Sequence, residues 1–199
     1  DSAGYIVPYS PNEINLTDVY KTKISLPSWR TQGYAQYNFN KTLADSSNLK
    51  ITAGVRGNAW TVNGETIISP RMSIAFKPNW TRDWLFKFST GLYYQPPFYR
   101  ELRDLSGAIN KSVKAQQSVH FVLTSDYIFK MWKRSFKLMM SAYYKELTNV
   151  VPYEIDNVRI RYFANNNTKA YTTGADVRIN GEFVKGVESW ATIGFLRTY

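Results

Sequence analysis

The side chains able to carry chemistry are few and dispersed. The chain has no cysteine and one histidine, His120. A disulfide framework, a thiolate metal site and a cysteine nucleophile are therefore excluded, as is a multi-histidine metal centre. His120 falls in the alternating stretch Val119-His-Phe-Val-Leu123, where it reads as one polar member of a strand face. Glu101 and Asp104 could be posed as a carboxylate pair for glycoside hydrolysis. Acidic pairs are common in loops, however, and no Gly-rich phosphate loop accompanies them. The expectation is a protein that is not an enzyme and that uses no metal or cofactor.

Binding is the better use for such residues. Arg100, Glu101, Arg103 and Asp104 crowd the segment Pro96–Ala115, either as a ligand-contacting loop or as one held by local ion pairs. Tyr153, Tyr162 and Phe163 lie in Thr148–Thr168, where they would stack on a ligand or on one another. The net charge is +10 with a pI near 9.7, which raises the question of nucleic acid. The basic residues are scattered apart from Lys130-Met-Trp-Lys-Arg134, which falls in an expected turn, so no nucleic-acid partner is expected.

The elements that must position these residues are strands. Sustained helical periodicity is hard to find, whereas period-2 alternation recurs almost everywhere. Eight strands are predicted: Thr31–Thr42, Asn48–Trp60, Ile67–Lys77, Trp84–Gln95, Gln116–Lys130, Ser135–Leu147, Lys169–Asn180 and one beginning near Trp190. One face of each is apolar: Tyr37 and Phe39 in the first, Phe121 and Leu123 in the fifth, Leu138 and Met140 in the sixth, Ala175 and Val177 in the seventh. The opposite face takes Arg56, Arg71, Lys87, Asp126, Lys137, Lys145, Asp176 and Arg178. Such alternation suits a soluble sandwich as well as a barrel in lipid.

Strand length, connection length and aromatic placement favour lipid. A tilted membrane strand needs roughly 9–11 residues in the hydrocarbon, and the predicted strands reach that, about twice the usual globular length. Short connections (Thr42–Ser47, Pro78–Asp83, Met131–Arg134, Gly181–Ser189) alternate with long ones (Asp1–Arg30, Pro96–Ala115, Thr148–Thr168); Thr61–Thr66 is short where the pattern asks for long. Outer-membrane barrels have short periplasmic turns and longer outer loops. Phe39, Phe76, Trp80, Trp84, Phe129, Trp132, Phe136 and Trp190 fall at the short-turn ends. Tyr34, Trp60, Tyr93, Tyr94, Tyr143, Tyr144 and Tyr171 fall at the other, giving two expected girdles. Asn-x-Ser/Thr matches at Asn15, Asn40, Asn79, Asn110 and Asn166 carry no weight in that setting.

Four segments, in order, resemble the C-terminal barrel half of TonB-dependent receptors. Ser69-Pro-Arg-Met-Ser-Ile-Ala-Phe-Lys-Pro78 is similar to the family's S-P-R strand running into a short turn. Phe88-Ser-Thr-Gly-Leu-Tyr-Tyr-Gln-Pro-Pro-Phe-Tyr-Arg-Glu-Leu102 resembles its aromatic strand and P-x-x-x-E-L loop start. Ser141–Val151 resembles the strand leading to an outer loop, and Tyr171-Thr-Thr-Gly-Ala-Asp-Val177 the return strand. The resemblance covers about residues 31–199 and implies an all-β, antiparallel transmembrane β-barrel, with residues 1–199 a partial barrel domain of about eight strands from a 22-stranded whole. It also implies outer-membrane lipid as surroundings, and a plug domain and the TonB system as partners through the parent chain, with a surface lipoprotein as a further one. The implied function is uptake of a scarce large solute such as a siderophore, cobalamin, oligosaccharide or peptide. A small closed barrel with a structural or adhesive role, and a soluble all-β binding module, are the alternatives.

Overall fold

The computed structural model describes residues 24–156 and 158–199. The long connection expected over Asp1–Arg30, apart from residues 24–29, lies outside them, as does Asn15. Ten strands follow one another: β1 (Arg30–Thr42), β2 (Asn48–Trp60), β3 (Glu65–Lys77), β4 (Asp83–Gln95), β5 (Gln116–Met131), β6 (Arg134–Val150), β7 (Tyr153–Asp156), β8 (Arg159–Tyr162), β9 (Thr168–Val184) and β10 (Val187–Thr198). Eight of them form one antiparallel sheet in the order β1-β2-β3-β4-β5-β6-β9-β10; β7 and β8 make a separate hairpin. The sheet is an open meander whose margins, β1 and β10, do not pair with each other. It is therefore not a closed eight-stranded barrel.

The register sorts the side chains of all eight strands by chemistry. One rung runs Phe39, Ile51, Ile74, Phe88, Leu123, Ala142, Ala175, Phe195 across the sheet without a polar interruption. The next toward the short turns is Lys41, Leu49, Phe76, Phe86, Ser125, Met140, Val177, Ile193. On the opposite face the central rung is Asn38, Thr52, Ser73, Ser89, Val122, Tyr143, Gly174, Leu196. Side chains alternate across a strand, so antiparallel pairing in this register keeps each strand's apolar set on a common side. The two sides of the sheet therefore differ in composition, one apolar along its centre and the other carrying the charged residues.

Among the described residues no second sheet seals the apolar side. Phe121 is 45% exposed, Leu123 56% and Val177 45%, so the two-sheet sandwich considered from the sequence does not form. The main buried apolar cluster sits at the long-loop end, with Phe136 buried apart from it toward the short turns. Trp60, Leu102, Val113, Val151 and Ala164 are buried together, with Leu26, Val62, Ile109 and Tyr162 packed around them. Each large side chain so buried contributes about 1.5–3 kcal/mol, which fixes the loops to the rim of the sheet.

Pro70 explains how that core finds room. The β3–β4 ladder begins at Arg71–Gly91, although both strands continue beyond it toward the loop end. Proline has no N–H to give a ladder, and Val55–Pro70 pairing with β2 continues past it. The rim of β3 is thus left to the returning loop: Glu65 Oε2 accepts the Ala115 N–H at 2.8 Å, and Asn63 Nδ2 donates to Val113 O at 3.0 Å.

The short turns are tight. Leu43–Ser47 is closed by Leu43 N–H to Ser47 O at 2.8 Å. Asp45 accepts from the Ser47 N–H at 3.0 Å and from its hydroxyl at 2.8 Å, and Asn79 ties the neighbouring turn on through Ser47 Oγ and Asp45 O. The β9–β10 connection is the two-residue turn Lys185-Gly186, Gly186 standing at φ 78°. It replaces the longer Gly181–Ser189 connection expected from the sequence, because Gly181 and Glu182 still belong to the strand.

Candidate ligand cleft at the loop end

The two long loops are braced against each other. Asn110 Nδ2 donates to Ala164 O at 2.9 Å. Asn166 takes the Lys114 N–H on its carbonyl at 2.6 Å, and its amide donates to Lys114 O at 3.1 Å and Asn149 O at 2.7 Å. Three of the Asn-x-Ser/Thr matches, Asn79, Asn110 and Asn166, thus have structural uses. The loop after β6 is itself a β-hairpin, and its register sets Glu154 opposite Arg161 and Asp156 opposite Arg159. Arg161 pairs with Asp156 at 3.3 Å and Glu154 at 3.8 Å, then reaches across to donate to Leu105 O at 3.2 Å.

Between hairpin and loop lies a cleft of about 910 Å³, walled by Arg100, Arg103, Asp104, Arg159, Arg161 and Tyr162 among others. The sequence-predicted residues divide here. Arg100, Arg103, Asp104 and Tyr162 come together in the cleft. Glu101 does not: it is buried, and its carboxylate accepts the Phe98 N–H at 2.8 Å. Tyr153 faces its register partner Tyr162, ring centroids 6.0 Å apart, and stands largely exposed outside the lining. Phe163 donates its N–H to Pro152 O and shapes the hairpin base.

The local ion pairs expected among Arg100, Glu101, Arg103 and Asp104 do not form among the described residues. Hydrogen bonds hold the loop instead. Asp104 Oδ1 accepts from the Ser106 hydroxyl at 2.7 Å, the Ser106 N–H at 2.9 Å and the Ala108 N–H at 2.9 Å, beside Gly107 at φ 85°. The Ser106 hydroxyl foremost, then these amides, holds the Asp104 carboxyl below the usual carboxylate value. Glu101 and Asp104 thus part company, Glu101 buried within its turn and Asp104 at the cleft.

Sequence reasoning missed Arg159 and Arg161. Their signal was present in Tyr153-Glu-Ile-Asp-Asn-Val-Arg-Ile-Arg-Tyr162: alternation with acids on one side of the turn and arginines on the other, the pattern of a charge-matched hairpin.

The polar side of the sheet is also organised. Arg56, Arg71, Lys87, Asp126, Lys137, Lys145, Asp176 and Arg178 all project from it. Asp126, only 8% exposed, is clamped between Lys137 at 3.0 Å and Lys87 at 3.5 Å. Arg71 lies over the Tyr93 ring at 4.4 Å, and Tyr93 stacks on His120 at 4.2 Å.

On the apolar side the short-turn ends carry a continuous aromatic belt. Trp84 stacks on Phe86 at 5.7 Å and Tyr127 at 4.4 Å, Tyr127 on Phe129 at 5.2 Å, and Phe129 on Phe136 at 5.8 Å, with Trp132 edge-on to Phe136. Trp190, placed in that belt from the sequence, projects instead from the polar side beneath Arg178, its register partner being Asn180. Of the residues expected in the loop-end girdle, Tyr94, Tyr144 and Tyr171 stand on the apolar side, Tyr171 stacked on Tyr199 at 5.9 Å. Tyr34, Trp60, Tyr93 and Tyr143 take the other, where Trp60 is sealed in the loop core with Arg30 over its ring at 4.6 Å.

No protein-family model, no curated protein and no solved structure matches this chain at a significant level.

Proposed function

We propose that these strands are staves of a transmembrane β-barrel in an outer membrane, belonging to a receptor of the TonB-dependent kind that takes up a scarce, large solute. The observation that carries the reading is the unbroken apolar rung from Phe39 to Phe195, on the side opposite Arg56, Lys87, Asp126 and Lys137 and left uncovered among the described residues. A soluble sheet buries such a side against another layer; a barrel in lipid turns it to the acyl chains. On β4 the apolar set runs from Trp84 to Tyr94, roughly 33 Å along a strand at about 3.3 Å per residue. Tilted by about 40°, that covers the apolar band of about 25 Å typical of such barrels.

The aromatic belt at the short turns supports a headgroup position there, and the braced, cleft-bearing loops then face outward. The charged side becomes the wall of the lumen, where Asp126 and its lysines border a plug. The open margins suit a larger ring, in keeping with the resemblance noted for the Ser69–Pro78 and Phe88–Leu102 segments. The bracing of the two loops also favours a second reading, a barrel whose rigid outer rim holds a surface partner without transport.

Vesicle insertion tests the membrane assignment. The chain should fold only in detergent or lipid. Phe121→Arg and Leu138→Arg should impair insertion, a midplane arginine on the lipid side costing about 2–4 kcal/mol. His120→Arg and Ser141→Arg should be milder. Equal sensitivity of the two sides, or ready solubility as a monomer without detergent, would refute it. Growth on a limiting solute, with and without the receptor, separates transport from mere binding.

A further inference from the structure

We propose that the loop-end cleft binds an oxyanion, a compact solute bearing carboxylate or phosphate groups, through Arg100, Arg103 and Arg159. The inference deepens the reading above by naming a ligand class, and it rests on these loops being the ligand-facing end.

The charge balance of the walls is its basis. Four arginines and two aspartates, Asp104 and Asp156, border the cleft. Asp104 makes no ion pair among the described residues, and its Oδ1 takes three hydrogen bonds from its own turn, from Ser106 and Ala108. Asp156 and Glu154 are taken by Arg161, which also holds the hairpin to Leu105. Arg100, Arg103 and Arg159 are left with no ion-pair partner among the described residues, although Arg159 stands opposite Asp156 in register. The four arginines exceed the two aspartates of the lining, and this surplus of positive charge favours an anion beside the three unpaired guanidinium groups.

Their setting suits recognition. The Arg100 guanidinium lies 5.7 Å from the Tyr162 ring centroid and 5.8 Å from that of Phe98. Stacking on a ring face leaves the N–H edge of a planar guanidinium available, and that edge matches carboxylate and phosphate oxygens in bidentate fashion. The walls are already tied by Arg161 to Leu105 and by Asn110 to Ala164, so little ordering is lost on binding. The volume, about 910 Å³, falls within the range of about 300–1,000 Å³ usual for small-molecule sites.

The same oxyanion chemistry could be met by a dissolved solute or by the phosphates of a lipid headgroup, and one experiment separates them. The full chain, refolded in neutral detergent micelles, is titrated calorimetrically with citrate, pyrophosphate and, as a neutral control, maltotriose. Saturable binding of citrate or pyrophosphate is expected, weakening with added NaCl, with no heat from maltotriose. Arg103→Gln and Arg159→Gln should each weaken it at least about fivefold, and Arg159→Lys less. Should both free anions fail, saturable heat from micelles doped with phosphatidylglycerol, lost in the same Gln variants, assigns the site to headgroup phosphate. Absence of both, or binding indifferent to Arg103 and Arg159, overturns the proposal. A chain that binds anions but does not insert keeps the cleft and loses the barrel; one that inserts without binding does the reverse.

Discussion

The ring of Phe136 lies across Gly181, its register partner on β9, in the space that any side chain at that position would fill. Phe136 is almost wholly buried there, with Phe129 stacked at 5.8 Å and Phe183 edge-on at 5.1 Å. On the opposite side of the same strand pair Tyr143 lies over Gly174 in like manner. A glycine weakens a strand by itself; here the neighbouring ring supplies the missing contact and anchors the aromatic belt.

Gly181→Val should therefore cost about 1–3 kcal/mol by displacing the ring, read as a lower urea midpoint of the chain folded in vesicles. Combining it with Phe136→Leu should restore part of the loss, since the smaller side chain vacates the collision. Additive losses would show that the ring and the glycine are not coupled.

Asp126 is the charge on which the polar side depends. Asp126→Asn leaves Lys87 and Lys137 facing each other without their shared carboxylate. The expected loss is about 1–3 kcal/mol, below that of a fully buried pair because both lysines are partly exposed. Lys87→Met or Lys137→Met alone should cost less, as one partner remains. Denaturant midpoints of the three variants give the ranking.

The β5–β6 turn carries strain that a substitution can release. Trp132 and Lys133 both sit at positive φ, 52° and 61°, where two-residue hairpin turns prefer Asn-Gly. Lys133→Gly should stabilise the folded chain by about 1 kcal/mol. Trp132→Gly should gain little or nothing, because the edge contact of Trp132 with Phe136, 6.0 Å between centroids, goes with the ring.

Acid should loosen the short-turn end through Asp45. The Ser47 N–H, then the Ser47 hydroxyl, lowers its carboxyl below the ordinary 3.8. A carboxyl lowered by folding stabilises the native state fully above its unfolded value and loses that contribution as pH falls through the folded one. Between about pH 5 and pH 2 the unfolding midpoint of the native chain should fall more than that of Asp45→Ala. Parallel pH profiles for the two would dismiss the turn as a titrating element.

Strand positions were legible in the sequence because each strand keeps its period over many residues. Asn48–Trp60 was placed at both ends, and Gln116–Lys130 lacked only Met131. The sides were legible too, since Phe88 and Leu123, or Lys87 and Asp126, declare themselves by alternation alone. The hairpin Tyr153–Tyr162 was not, because four residues per strand give alternation too little length to stand out from a loop. The cleft was half visible: Arg100 and Arg103 are crowded in sequence, whereas Arg159 and Arg161 reach them only through a fold-back across β5 and β6. Trp60 read as an interfacial aromatic, and only the splay after Pro70 shows why it lies under the loops. Gly181 and Glu182 read as turn formers, although the ring of Phe136 keeps that stretch in the sheet.

The count of strands has one more implication. Eight alternating directions leave the outermost ribbons, β1 and β10, running oppositely. Every β1 residue is exposed, so its unpaired amides and carbonyls invite further hydrogen bonding. Whatever completes a circle between those two margins by antiparallel pairing alone must then contribute an even number of additional staves. The same geometry permits β10 of one molecule to zip onto β1 of another, so chains folded in detergent at high concentration should join end to end into arcs and sediment.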